Sequence, residues 1–504
     1  MFGRSIAIGV VMATLAAAGS AVAAPHQTSR GGGGAAEPRP CPPGYRGFRA
    51  GAAKTDITPT TWPVAMAAYS IGRMGDGAAQ PFYARALALQ SCADGSTVVL
   101  TAIDSQGYFS GYKEDPGAGA AGYGLTAIRL TAAAATGVPV TNLLVAATHT
   151  HNSPDSIGLW GGSVTDNNKA PYFELVKAQT VAAIETAVAR LRPARLSTGS
   201  VDIADLVGTL DSAAADPAHY PVDHTLRVLQ VTGDDGDPIA TVADASIHAT
   251  IAGELTKITP DWPGRLAQDL EASYPGETSV VFAGAVGRTY GVFPPGTLPP
   301  HADDLTQVAV YGDLLAGRAR DAVASARPVT AGPVSTVDTT LQEEIANPAI
   351  AALFADEQGT PYVHGVMRSI LPPFETGPLV ATEVQTIRVG DLLFAGAPGE
   401  AYPELGTELD KRVHTTGIVF PISLANDQVG YEPPAFEYPV IALIQSGDNG
   451  IFTLNAHVGD DVINQHLTAA AQLGFTTDGP YDGATAGPVV PPGTVPPPPV
   501  GASR

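Results

Sequence analysis

Cysteine is almost absent from this chain: 504 residues contain two, Cys41 and Cys92. Two thiolates are too few for a thiolate zinc site. An even count in a chain bound for an oxidising compartment still permits one disulfide, which would tie the N-terminal segment to the strand near Leu89. Basic residues are scarce as well. Lys and Arg total 27 against 49 Asp and Glu, a formal charge of −22. A charge of that sign argues against nucleic acid or an anionic membrane surface as a main partner, since both select for basic patches. Past the N-terminus there is no run of about 20 apolar residues, so no transmembrane segment is expected in the mature chain. No internal repeat is visible.

What is present begins with a leader. Phe2-Gly3-Arg4 is a short basic start, Ser5 to Ala18 is apolar, and Ala21-Val22-Ala23 has the spacing of a cleavage site. Residues 1–23 therefore read as a secretory signal peptide, and the mature protein is expected outside the cell or in the cell envelope. Residues 24–47, with "GGGGAAEPRPCPPG", read as a flexible Gly/Pro-rich segment. Residues 475–504, ending "GPVVPPGTVPPPPVGASR", read as a Pro-rich disordered tail. The body between them, 48–474, is expected to fold as one large domain.

Strand and helix signals alternate through that body. "STVVLTAID" (96–104), "NLLVAAT" (142–148) and "TSVVFAGA" (278–285) are short apolar runs that end at small or polar residues. "LRVLQVTG" and "PIATVADASIH" flank Asp234-Asp235-Gly236-Asp237, a hairpin signal. Residues 173–191 have helical spacing, with Leu175, Val176, Thr180, Ile184 and Val188 on one face. "DWPGRLAQDLEAS" predicts a helix capped by Asp261 with Pro263 in its first turn, and residues 312–326 predict another. The fold class expected is α/β, with layered mixed β-sheets flanked by helices.

The chemistry centres on "AATHTHNSPD" (146–155). His149 and His151 follow a buried strand, and residues two apart share one face of an extended chain. Imidazole is a common zinc ligand, but an isolated HxH is equally a solvated loop. A zinc site needs further groups from separate strands. Candidates are His248 at the end of "TVADASIH", Glu400 at the end of "DLLFAGAPGE", and the polar loop Asn426-Asp427-Gln428-Val429-Gly430-Tyr431. The metallo-β-lactamase pattern HxHxDH fails, because Ser153 and Pro154 stand where Asp and His are required. An amidohydrolase barrel is disfavoured, since no eightfold βα pattern is present.

A third pattern fits. "AGAAKTDITPTTWPVAMAAY" (50–69), "PFYARALALQSCADGSTVVLTAID", "VAATHTHNSPD", "IATVADASIHAT", "DWPG", "VVFAGAVG", "LLFAGAPGE" and "NDQVGYEP" occur in that order. Together they resemble the catalytic domain of the neutral/alkaline, non-lysosomal ceramidase family over roughly residues 48–470. The resemblance implies one Zn2+ per chain, held by His149, His248, Glu400 and Tyr431. It implies that His151 moves protons beside the metal, that Tyr431 could stabilise an oxyanion, and that metal-activated water attacks an amide or ester carbonyl of a small or lipid-like substrate. Asp104 is a candidate for orienting a ligand histidine. The chain departs from the family in three places. "FAGAVGRTYGVFPPG" (282–296) has no serine where ceramidases offer one, leaving Thr289 as a possible hydroxyl. "GTLDSAAADPAHYPVD" lacks the family's substrate-holding arginine, for which Arg288 is a candidate replacement. Residues 475–504 are too few for the family's C-terminal immunoglobulin-like sandwich of about 100 residues. The expectation is thus a secreted zinc hydrolase of ceramidase type. Its rivals are a true ceramidase with a displaced nucleophile and a non-catalytic secreted binding protein on the same fold.

Overall fold

The hairpin at Asp234–Asp237 forms as its residues require. Gly236 takes φ +91°, and the Asp235 carboxylate accepts the Asp237 amide at 3.1 Å. It joins the antiparallel strands Thr225–Gly233 and Pro238–Ala245, which lie in a nine-stranded sheet. The structure, a computed structural model, describes residues 41–112, 119–160, 170–209, 221–347, 350, 379–438, 450 and 452–483. The signal peptide and most of the flexible N-terminal segment expected from the sequence lie outside them. Across the sheet the strands run Thr278–Ala283, Pro238–Ala245, Thr225–Gly233, Arg192–Asp202, Phe48–Asp56, Tyr83–Ser91, Thr97–Ile103 and Leu143–Ala147, with Arg327–Pro328 pairing beside Arg192–Asp202. The middle is antiparallel, and the pair at each end is parallel. Each parallel pair needs a crossover, supplied by helices Leu125–Thr136 and Asp261–Ser273.

Period-two alternation sorts the side chains into layers. Leu87, Leu100, Leu144, Val242 and Phe282 point to one face, against Phe394, Phe420 and Ile422 of a second, four-stranded sheet. That sheet comprises Val334–Glu344, Leu379–Val389, Leu392–Gly396 and Val419–Ile422. Alternate residues of the large sheet, among them Ala86, Val99, Val145, Val228 and Val281, meet helices on its other face. These are Leu125–Thr136, Ala170–Ala189, Asp261–Ser273 and Asp304–Ala324. Helices Glu404–Arg412 and Val458–Gln472 cover the far face of the small sheet over Leu393 and Val419. The result is a helix–sheet–sheet–helix stack in one large α/β domain, as the alternation of elements predicts.

Closure of the large sheet positions the site. Its end strands Leu143–Ala147 and Thr278–Ala283 come into contact, and residues 423–426 stitch them together. The Ser423 amide donates to Ala283 O, Ala147 N donates to Leu424 O, and Asn426 N donates to Val145 O. The Asn426 side-chain oxygen accepts Val145 N at 3.0 Å. Leu424 and Asn426 take φ +58° and +65° to make this seam. Asn tolerates that conformation far better than a β-branched residue does.

Three boundaries differ from expectation. Asp261 is the first residue of its helix, and Pro260 occupies the cap without a side-chain bond. The helix expected from 312 begins at Asp304, because Asp303 caps it by accepting Thr306 N at 2.8 Å. The body also continues past Gly474. Phe475 and Tyr481 are buried, and Thr476–Thr477 pairs with Val413–His414. The disulfide joins Cys41 to Cys92, with Cα atoms 5.7 Å apart. Among the described residues no helix is long and apolar enough to cross a membrane.

Candidate metal centre

The two parallel pairs at the ends of the large sheet build the site in the same way. On one side, Leu143–Ala147 ends and the chain turns at His149, which takes φ +64°. Its Nδ1 lies 2.7 Å from the carbonyl of Gln106, just past the partner strand Thr97–Ile103. On the other side, Pro238–Ala245 leads to His248, whose Nδ1 lies 2.8 Å from Val286 O, just past Thr278–Ala283. Each pair thus delivers an imidazole from one strand end and a carbonyl from the other. A carbonyl only accepts, so both Nδ1 atoms donate, and each Nε2 faces inward.

The surrounding loops are fixed by buried polar bonds. The Asp261 carboxylate accepts the amides of Ile251, Ala252 and Trp262, and the Trp262 indole donates to His248 O at 3.2 Å. Burial pushes the Asp261 carboxyl up to about 6, against those amides. Asp104 accepts Arg85 and Tyr83 N, each at 2.8 Å, and the Thr148 hydroxyl at 3.4 Å. It therefore braces the loop at Thr148, while the carbonyl of Gln106 does the orienting assigned to Asp104 from the sequence.

Glu400 completes the cluster from the second half of the chain. Glu400–Ala401 pairs in parallel with Tyr431–Glu432, so Glu400 and Tyr431 are direct neighbours. Glu400 Oε2 lies 3.3 Å from His149 Nε2 and 3.2 Å from His248 Nε2, while Gln428 donates to Oε1 at 3.2 Å. The Tyr431 ring stacks on His248, centroids 6.4 Å apart. His151 Nε2 lies 3.3 Å from His149 Nε2, and the ligand atoms of the three histidines fall within 4.8 Å of one another. The structure thus brings His149, His151, His248, Glu400 and Tyr431 together.

This donor set fits a metal. Two inward Nε2 atoms and a carboxylate oxygen that has no conventional hydrogen-bond partner converge on one point. Bare lone pairs at that spacing repel unless a cation or a proton sits among them. Without a metal, a proton takes the place. Burial disfavours charge on His149, but Glu400 outweighs it and raises the imidazole. Burial would likewise raise Glu400, yet His149 and His248 hold it well below the usual carboxylate range. His151 is held well below its ordinary value, first by burial and then by the charges of His149 and His248.

Two sequence candidates lie in other settings. The Arg288 guanidinium is almost wholly buried, doubly bonded to Glu404 at 2.9 and 3.0 Å and paired with Glu437, with Pro221 O as a further acceptor. It is engaged by scaffold groups, a setting unlike the displayed substrate anchor expected from the sequence. The Thr289 hydroxyl donates to Val286 O at 3.1 Å, the carbonyl that also receives His248. Sequence reading missed the carbonyl of Gln106 and the side chain of Gln428. The first carries no side-chain signal, and the second lay inside the polar loop already singled out.

No protein-family model and no curated protein matches the chain. Solved structures do. The crystal structure of neutral ceramidase from Pseudomonas aeruginosa superposes with TM-score 0.66 and 19% identity, over 88% of this chain and 77% of that one. A structure described as a ceramidase complexed with C2 gives TM-score 0.65 and 18% identity, over 87% and 78%. The fold is that of the neutral ceramidases, carried by a strongly divergent sequence.

Proposed function

We propose that this chain is a secreted, zinc-dependent hydrolase of ceramidase type that cleaves an amide or ester bond. One Zn2+ per chain would be held by His149, His248, Glu400 and Tyr431. The observation that carries this reading is the convergence of two inward Nε2 atoms on an otherwise unpartnered Glu400 oxygen, with both Nδ1 atoms already committed to carbonyls. A zinc ion there would polarise a carbonyl and acidify water beside it. The protein's own groups supply the rest. Neutral His151 accepts a proton at Nε2 from the attacking water and returns it to the leaving group. The Tyr431 hydroxyl offers a donor to the carbonyl oxygen as charge develops on it. Gln428 fixes Glu400, and the carbonyls of Gln106 and Val286 fix the two imidazoles. The substrate would be small or lipid-like. Secretion is supported by the leader at residues 1–23 and by the Cys41–Cys92 bridge.

The first test is zinc per chain in the purified protein beside a His248→Ala variant. About one zinc in the wild type, lost in the variant, supports the reading. No zinc after refilling sinks it. A second reading, a binding protein without turnover, is favoured by the lack of a serine in residues 282–296 and by the burial of Arg288. A zinc-loaded protein that releases no fatty acid from ceramide and turns over no simple ester or amide would establish that reading instead.

A further inference from the structure

Beside the histidines, the segment Ala67–Arg73 has a conformation that folding alone does not explain. Ala68 and Tyr69 are consecutive non-glycine residues with φ +60° and +57°. Left-handed conformations at such residues are costly and persist only when their surroundings enforce them. Arg73 enforces this one. Its buried guanidinium donates to Ala67 O, to His151 O at 2.8 Å, to Asn152 Oδ1 at 2.7 Å and to Leu255 O at 3.0 Å. One side chain thereby ties the turn to the loop carrying His151 and to the loop that follows His248.

What the strained turn delivers is an aromatic ring at the surface. Tyr69 is 43% exposed, yet its ring stands edge-on to His151 with centroids 5.8 Å apart. Its hydroxyl donates to Ala252 O at 2.8 Å, and the Arg73 guanidinium lies 5.0 Å from its ring centre. The ring is thus held from both ends while one side stays open to solvent beside the group that moves protons. A tyrosine serving only the core would be buried, and one serving only the turn would not need its ring at the site.

We propose that Tyr69 is a specificity-determining residue: its ring forms one wall of the approach to the histidine cluster and contacts the apolar part of the substrate's acyl group, with Arg73 as the positioning residue that holds it there. This rests on the hydrolase reading above. The wall recognises an acyl group longer than acetyl, because an aromatic face rewards apolar length.

The test compares kcat/KM for p-nitrophenyl octanoate and p-nitrophenyl acetate in zinc-loaded wild type, Tyr69→Ala, Tyr69→Phe and Arg73→Lys. In Tyr69→Ala the octanoate-to-acetate ratio is expected to fall about tenfold, mainly through KM, with zinc content retained. Tyr69→Phe keeps the ring and is expected to keep the ratio. Arg73→Lys should lower it in the same direction as Tyr69→Ala, because an ammonium cannot serve four acceptors spread over three segments. A ratio in Tyr69→Ala within roughly twofold of wild type, or higher than wild type, overturns the proposal. Wild type that holds zinc but cleaves neither ester would defeat the hydrolase reading instead. Binding of octanohydroxamate against acetohydroxamate then tests the wall alone. Selective loss of the longer ligand in Tyr69→Ala sustains it; equal loss, no loss, or no binding of either overturns it.

Discussion

The histidine cluster and the Arg288 cluster both bury carboxylates, and they are neutralised differently. Around Arg288 the chain brings its own fixed cation. Glu404 receives a two-pronged guanidinium and Glu437 shares it. Burial above all still pushes the Glu437 carboxyl up, against the pull of Arg288. Around Glu400 there is no lysine or arginine partner among the described contacts, only imidazoles whose outer nitrogens are already spent on carbonyls. The first arrangement is a finished structural knot. The second leaves its positive charge to be supplied by a proton or a metal, and so can exchange it. Sequence alone does not tell the two settings apart, because Arg288 and Glu400 each stand a few residues past the end of a strand.

The largest effect should come from removing the charge that the chain leaves uncompensated. Glu400→Gln keeps the shape and loses the anion. Zinc affinity, measured by competition with a chromophoric chelator, is expected to fall about a hundredfold or more. Unchanged affinity would erase the distinction between the clusters and move any metal onto the three histidines alone. His151→Ala separates these cases further. With His151 as proton carrier, zinc stays within about tenfold of wild-type affinity while turnover falls about 10²- to 10⁴-fold. With His151 as ligand, zinc is lost as well.

Arg288→Met should do the converse. It strands two buried carboxylates, and breaking such a pair costs about 3–5 kcal/mol. Urea unfolding of the zinc-free protein should report that loss, while zinc per folded chain stays as in wild type. Zinc lost without a change in stability would place Arg288 with the site and restore the substrate reading.

How much of this was legible depended on which atoms did the work. The layers were legible because period-two runs such as Val98-Val99-Leu100 and the stripe Val176, Thr180, Ile184, Val188 state their own faces. The candidates His149, His151, His248, Glu400 and Tyr431 could be picked out because they occur in an order that resembles one family, and the structure brings them together. The closure was not. It depends on backbone bonds at residues 423–426 and on two left-handed residues, and backbone carbonyls such as those of Gln106 and Val286 leave no trace in residue identity. Nor was the exact end of the body, since a Pro-rich composition after Gly474 masks the local burial of Phe475 and Tyr481. The setting of Arg288 was not legible either, because an arginine near a site and an arginine in a buried knot share one letter.

The smallest effect comes from a third cluster, intermediate between the other two in how its charge is neutralised. Arg129 donates to Glu383 at 2.8 Å and lies 3.5 Å from Asp338, while Asn426 donates to the other Glu383 oxygen at 3.1 Å. One guanidinium serves two carboxyls, and the remaining deficit is met by a proton. Burial first, and Glu383 next, push the Asp338 carboxyl up to about 8, with Arg129 opposing. An unfolded Asp releases its proton near pH 4. Between about pH 4 and 8 the folded chain therefore holds a proton that the unfolded chain has lost, and stability falls as pH rises through that window. Asp338→Asn carries no such proton. Asp261 and Glu277, raised to about 6 and about 7, pull the same way but are common to both proteins and cancel in the comparison. With allowance for partial exposure, the wild type should lose about 1 kcal/mol more than Asp338→Asn between pH 5 and pH 8. Parallel urea-unfolding curves for the two zinc-free proteins across that range would mean that Arg129 neutralises both carboxyls after all, and that this cluster belongs with the Arg288 knot.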